Sequence, residues 1–521
     1  MRLALLFLFC FFYIIPPLHA KDKIEYYFKR LNIENGLSQN TVSCILQDYQ
    51  GFMWFGTKDG LNRFDGQQFR VFNKGSAGLE NDFITTLFEA SNGDLWVGTD
   101  AGVYIYNPVK ELFTPFDLQT AQGESIQHTV TRIEEWKDST IWISVDYQGL
   151  FQYDYINSHL YHPVNYDIHA DSLANISHFW FEGDVCWMAL YGDNLYYTDD
   201  FKSRQTFKDI HGDELFKGDI ITSQIQGNHN CWYVGSAKGL VEINMTTGRS
   251  RRLLNEYVRA LQFNADNELW IGTETGLYIY YLDINIFIHL TDSKSADPYA
   301  LSDNVIYSLF RDNEGSMWVG SYFGGINYYP YPYTYFEKYY SERNGNFGKR
   351  IREFCESNDG SVWIGTEDKG LFHFDPESGV IEPFEHPSIF HNVHGLCLDG
   401  DYLWVGTFSG NLCRIHLPTK RLKQYPKENV MSICKTSSGT LLIGTIQGLF
   451  RFNYGTDDFI PVLPLSNRNI NHILEDSRGD LWVSTYANGV YQYNVRQKSW
   501  KNFCYRKNDS SSLQSDKVTS V

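Results

Sequence analysis

Apolar residues fall along this chain in short runs separated by polar turns, and the runs keep a regular beat. TVSCILQD (41–48) is followed by a polar step within DYQG, then by FMWFGT, a Lys-Asp-Gly reversal, LNRFD and a last short run, QQFRVF. Runs of this length, bounded by Gly and Asp and rich in aromatic and β-branched residues, predict strands. Asp59-Gly60 is a tight reversal of the kind that needs a positive φ, which glycine adopts freely.

The unit then returns. GFMWFGTKDGLNRFD, from residue 51, recurs as GDLWVGTDAGVYIYN, STIWISVDYQGLFQYD, DVCWMALYGDNLYYTD, NCWYVGSAKGLVEIN, NELWIGTETGLYIYY, GSMWVGSYFGGINYYP, GSVWIGTEDKGLFHFD, DYLWVGTFSGNLCRIH, GTLLIGTIQGLFRFN and GDLWVSTYANGVYQYN. The anchors are Trp54, Trp96, Trp142, Trp187, Trp232, Trp270, Trp318, Trp363, Trp404, Leu442 and Trp482, spaced 38 to 48 residues apart. That makes eleven copies, and the tail from Lys517 opens like a twelfth. Four short strands in about 40–45 residues is the arithmetic of a propeller blade. The middle strands (WFG, LWVG, LWIG) are almost continuously apolar, as packing on both faces requires. The glycine found two residues after most of these tryptophans is expected to leave room for an aromatic of the neighbouring blade. No GH…WD pair and no double-glycine kelch motif occurs. The turns in EDSRGDLW and RDNEGSMW echo the Asp box of sialidases but lack its Thr, and read as turn chemistry.

Composition sharpens the picture. The chain has 521 residues, 43% hydrophobic and 16% aromatic, and a net charge of -18. That charge argues against nucleic acid, which needs a basic face to displace counterions; the densest basic stretch, RSRRLL (249–254), reads as a solvated hairpin edge. MRLALLFLFCFFYIIPPLHA (1–20) reads as a secretory signal peptide: a positive start, thirteen apolar residues, a Pro break and a small final residue. No later run is long and apolar enough for a membrane span. Of nine cysteines, eight follow the leader. Cys44, Cys355, Cys397 and Cys434 fall at similar phases of strand-like runs, and read as buried free thiols acting as small hydrophobes, although export permits disulfides. There is no CxxC.

The run (V/I)xx(I/L)xxDxxGxxWxGTxxGLxxYD resembles the two-component regulator propeller repeat, over essentially all of residues 21–521. YYFKRLNIENGLSQNTV, directly after the leader, is similar to the start of the periplasmic sensors of hybrid two-component systems that carry this repeat. The resemblance implies two seven-bladed β-propellers in tandem, followed by a Tyr-rich sandwich, a membrane helix, a histidine kinase and a receiver. On that basis the chain is all-β: a leader (1–20), a complete seven-bladed ring (21–333), and an incomplete second ring (334–521) of four blades plus the start of a fifth. YYFKRL (26–31) and TYFEKYY (334–340) are alike, and each is expected to supply the outer strand of the last blade of its ring. The chain therefore reads as a fragment ending before its kinase, exported to the periplasm, homodimeric in the full receptor and without enzymatic activity of its own.

In such a ring, the turns between second and third strands emerge on the same face as the connectors between blades. Several carry aromatics: Tyr147, Tyr191, Tyr322, Phe323, Phe408 and Tyr486. Sugar rings stack on such faces, so these six are the candidate ligand-binding residues and an oligosaccharide the expected ligand; the alternative is that the rings cover neighbouring turns or a protein contact. The function implied is sensing for polysaccharide-utilisation genes. A secreted propeller binding a protein partner, or a polysaccharide hydrolase or lyase, is the alternative. No HExxH, GxSxG or GxxxxGK occurs. His386, His391 and His394 form no tetrahedral set, and no metal or cofactor is expected.

Overall fold

The computed structural model describes residues 26–137, 140–163, 175–292, 297–331, 338–339, 348, 350–385 and 392–521. The leader read at 1–20 lies outside them, as do His386, His391 and most of TYFEKYY; within that stretch, Tyr339 packs edge-on against Phe374, 4.6 Å away. The described residues form strands and two three-residue helical turns, Ile33–Asn35 and Asn228–Asn230. The strands assemble into eleven four-stranded antiparallel sheets. The fold is all-β, built from propeller blades.

Ten sheets are simple meanders of four consecutive strands. Their first strands are Val42–Gln47, Ile84–Glu89, Val130–Trp136, Ile176–Glu182, Ile221–Gln226 and Val258–Ala265 (blades 1 to 6), then Ile351–Glu356, Val393–Asp399, Val430–Lys435 and Ile470–Glu475 (blades 8 to 11). Blade 7 departs from this rule. Its strands Ile306–Arg311, Met317–Ser321 and Ile326–Tyr329 are completed by Lys29–Leu31 from the start of the chain, paired antiparallel to Ile326–Tyr328. Tyr26 and Phe28, just before it, enter a buried cluster with Trp270, Leu301 and Tyr329. Arg30 fixes the strand from outside, donating to the carbonyls of Asp297, Ala300 and Leu301 at 3.0–3.1 Å.

The seam between blades explains the Trp-x-Gly signature, and corrects one expectation. A Cβ on Gly56 would meet Ile84 Cγ2 at 2.7 Å, one on Gly98 Val130 at 2.9 Å, one on Gly272 Ile306 at 2.8 Å and one on Gly320 Val42 at 2.8 Å. The space is thus reserved for a β-branched aliphatic opening the next blade's first strand, not for an aromatic. The reason is reach: the strands approach too closely at that point for a ring. Val42, Ile84, Val130, Val258 and Ile306 are fully buried, each burial contributing on the order of 1.5–3 kcal/mol. Because Gly320 of blade 7 receives Val42 of blade 1, the seam of the first seven sheets returns to its start. In the second half, Gly365, Gly406 and Gly444 receive Val393, Val430 and Ile470 in the same way.

The chain divides into two compact units between residues 335 and 336. Blades 1 to 7 belong to the first and blades 8 to 11 to the second.

Candidate ligand-binding site

Two side chains in the repeat shape its turns. The hydroxyl of the Thr or Ser after the glycine donates across the second turn, as Thr57 does to Gly60 O (2.8 Å), Thr99 to Gly102 O (2.9 Å) and Ser321 to Gly325 O (2.9 Å), and accepts a turn amide, from Asp59, Ala101 and Gly324 respectively. At the other end, Asp48, Asp312 and Asp476 accept the indole N–H of Trp54, Trp318 and Trp482 at 2.7, 2.8 and 3.0 Å. Their second oxygens accept main-chain N–H groups of the first turn. The Asp-x-x-Gly turns are structural.

The side chains that vary from blade to blade sit at the opposite end. In all eleven sheets the first strand carries a bulge directly after its opening aliphatic, leaving one residue there without a partner across the ladder; blade 6 has a second irregularity at Asn264. Bulges re-aim side chains and are frequent beside binding sites. The bulged residues are Ser43, Thr85, Thr131, Ser177, Thr222, Arg259 and Tyr307 in the first unit, and Arg352, His394, Met431 and Asn471 in the second. Three of the five hydroxyls lock blade to blade: Ser43 Oγ donates to Ile84 O (2.6 Å), Thr85 Oγ1 to Val130 O (2.6 Å) and Thr222 Oγ1 to Val258 O (2.5 Å), while those of Thr131 and Ser177 bond to the second strand of their own blade. Arg259 and Tyr307 cannot do this, and build something else.

Arg259 lies over Tyr307 (4.3 Å to the ring centroid) and over Tyr257 (4.7 Å), and pairs with Glu274 of the second turn of blade 6 at 2.5 Å. Tyr307 packs on Tyr322 at 5.0 Å, and Tyr322 on Phe323 at 4.3 Å. Lys58, from the second turn of blade 1, stands over Tyr322 (4.6 Å) with its ammonium 3.3 Å from the phenol oxygen. Blades 6, 7 and 1 thus present a continuous row, Tyr257–Arg259–Tyr307–Tyr322–Lys58. Burial pushes the Tyr257 phenol above its usual value, opposed by Arg259 and reinforced by Tyr191.

The second unit repeats the frame in blades 8 and 9. Arg352 pairs with Glu367 through Nε (3.1 Å) and Nη2 (2.7 Å), and His394 stacks on Phe408 at 5.5 Å. Burial, with help from Arg352, lowers the His394 imidazole below its usual value, so it is neutral near pH 7.

The six aromatic residues expected from the sequence all lie in second turns. Tyr191, Phe323 and Tyr147 are strongly exposed, Tyr486 and Phe408 about half exposed, and Tyr322 half-buried. Tyr322 and Phe323 touch each other; Tyr147, at φ 61, meets the His128 ring edge-on at 6.1 Å. Tyr486 carries Lys517 over its face at 4.6 Å. Sequence reasoning missed Lys58, Tyr257, Arg259 and Tyr307. The signal was present: Arg and Tyr interrupt a Ser/Thr column immediately after the seam aliphatic.

Two surface grooves of about 640 and 750 Å³ lie at the other end, around Asp359, His373 and Glu382 and around Tyr49, Glu89 and Glu135. They are open clefts of first and third turns, and no bulged residue lines them. Among the described residues no group of three or more His, Cys, Asp or Glu is arranged for a metal ion. All eight described cysteines are free thiols, and burial pushes Cys44 and Cys397 up to about 12, far from thiolate reactivity. RSRRLL forms an outer strand, with Arg251 paired to Glu242.

Residues 36–59, 78–101, 300–323 and 464–487 match the family model of the two component regulator propeller. Each match runs through a blade connector, first strand and second strand. The chain carries two-component regulator propeller repeats. A curated relative of this propeller-repeat chain is histidine kinase P4 of Formosa agariphila, 27% identical over 94% of the chain; the chain spans 45% of that relative's length. Among solved structures, it is similar to the extracellular domain of BT3049 of B. thetaiotaomicron, a protein assigned as a hybrid two-component system. That match has a TM-score of 0.62 at 21% identity, covering 92% of this chain and 78% of the other. The extracellular domain of BT4673 from the same organism, assigned as a one-component system, gives 0.50 at 19% identity, over 93% and 74%. These likenesses establish the propeller fold. No helix among the described residues is long and apolar enough to cross a membrane.

Proposed function

We infer that this chain is the ligand-sensing, periplasmic portion of a hybrid two-component sensor, and that its ligand is an oligosaccharide. The observation that carries the reading is the row of aromatic and cationic side chains that bulges and second turns raise on one face of blades 6, 7 and 1. Aromatic faces stack on the apolar faces of sugar rings, while flanking charged and phenolic groups take the hydroxyls. Control of polysaccharide-utilisation genes and action as a homodimer belong to the same reading. Signalling then requires that the sugar bind two arrangements of the receptor unequally, since equal affinity shifts no equilibrium.

The test is titration calorimetry of the purified chain against a broad oligosaccharide panel. A saturable interaction with one sugar class, weakened at least tenfold by Tyr322→Ala in a protein that keeps its thermal transitions, is expected. Indifference of the folded chain to every sugar, or catalytic breakdown of one, would overturn the reading.

A further inference from the structure

Resting on the sugar-sensing reading, we propose that the row Lys58–Tyr322–Tyr307–Arg259 is a subsite for an anionic sugar residue, one that bears a carboxylate or a sulfate. The two rings carry the sugar face, and a cation stands at either end to take an acid group, Lys58 at one and Arg259 at the other.

The charge pattern makes the case. At the first position of the second turn, the eleven blades hold Lys58, then Asp100, Asp146, Tyr191, Ala237, Glu274, Tyr322, Glu367, Phe408, Ile446 and Tyr486. Lys58 is the one cation in a column that is otherwise acidic, aromatic or neutral, on a chain of net charge -18. A lysine placed for solubility would stand alone in water. Lys58 is instead half-buried between the rings of Tyr322 (4.6 Å) and Phe83 (5.7 Å), and among the described residues it has no carboxylate partner. Cation–π contact holds an ammonium in place but does not neutralise it.

Arg259 is also under-used. A guanidinium offers five donors; Glu274 takes one amino group, and no other acceptor meets it among the described residues. The equivalent frame in blades 8 and 9 shows what a closed version looks like. Arg352 gives Nε and Nη2 to Glu367, a ring stacks on a ring next door, and Ile446 stands at the position of Lys58. The same repeat can consume its own charge. In blades 6, 7 and 1 it leaves the Lys58 ammonium without a carboxylate, and an Arg259 guanidinium that meets its carboxylate through one amino group only, beside two tyrosines, donors suited to a planar or tetrahedral oxyanion.

The experiment presents the full chain with three matched sets of oligosaccharides: neutral gluco- and arabino-oligomers, oligogalacturonates and alginate oligomers bearing carboxylate alone, and sulfated galactan oligomers bearing sulfate without carboxylate. Binding to an acidic set is expected, weakening as salt rises. Lys58→Gln and Tyr307→Ala should each weaken it at least tenfold, while Lys58→Arg retains it; all three should keep the wild-type thermal transitions. Preference for the uronate or the sulfated set identifies the acid group. Binding confined to neutral sugars, or acidic binding that Lys58→Gln leaves unchanged, overturns the subsite while the sugar-sensing reading stands. Failure of the folded chain to bind any sugar overturns both.

Discussion

Blades 1 to 7 and blades 8 to 11 are built from one repeat, yet they bury it to different depths. In blade 4, Phe179 of the first strand is fully buried against the preceding sheet. Its counterpart in blade 8 is Phe354, in the same register opposite the residue after the tryptophan, and it is 61% exposed. At the other end of the second stack, Leu474 is exposed and Trp482 half-buried, whereas Trp54, Trp96 and Trp270 are fully buried. A blade has an apolar face on each side and cannot cover either alone. Seven sheets whose seam returns to Val42 leave no terminal face; four sheets leave two. The lesson is that the stability of a blade lies in its neighbours and not in its sequence.

The largest expected effect follows directly. Under limited proteolysis, cuts within 350–521 should accumulate while a core of residues 26–331 persists, and thermal unfolding should show two transitions, the second unit melting first. Simultaneous loss of both halves, or a single transition seen by every probe, would break the comparison.

Point substitutions sharpen it. Phe28→Ala removes a fully buried ring beside Trp270 and Tyr329, at the strand that completes blade 7. A cost of about 3–5 kcal/mol is usual for such a truncation. It should lower the upper transition alone. Trp482→Ala removes a larger side chain from a half-exposed face, so it should cost less than Phe28→Ala and lower only the lower transition. Calorimetry of both variants decides; a larger effect from Trp482→Ala would mean that the terminal blade is better covered than its exposure indicates.

Much of this architecture was legible in the sequence, and the reasons are specific. A strand-forming unit repeated eleven times averages out local ambiguity, so blade count and strand order followed from Trp spacing and Gly turns. The Asp-x-x-Gly turns were read correctly as structural because one carboxylate serves both the turn amides and the indole. What the seam glycines receive was misjudged, since periodicity tells which face a residue occupies but not how close the next sheet comes. The candidate face was found only in part. Exposed aromatics in turns are visible by inspection, but a bulge is a register event between two strands, and no single-strand pattern announces it. Arg259 and Tyr307 look like ordinary strand residues until the column of Ser43, Thr85, Thr131, Ser177 and Thr222 is set beside them.

The smallest expected effect concerns acid. Asp476 accepts the Trp482 indole at 3.0 Å and the amides of Arg478 and Asp480 at 2.9 and 3.0 Å. These bonds, the indole first, favour the ionised carboxylate and lower its pKa from 3.8 to about 2. A folded-state value below the unfolded one means that the stabilisation is present above about pH 4 and is lost as pH falls towards 2. Because Trp482 belongs to the second unit, the lower transition should lose stability across that window. Asn in place of Asp476 keeps an acceptor for the turn but cannot titrate. The difference in lower-transition Tm between Asp476→Asn and wild type should therefore shrink from pH 5 to pH 2, while the upper transition shows no such difference. A pH-independent difference would mean that the Trp482 indole bond does not depend on the charge of Asp476, and that the terminal blade is held by its aromatic contacts, such as Trp482 on Phe503, alone.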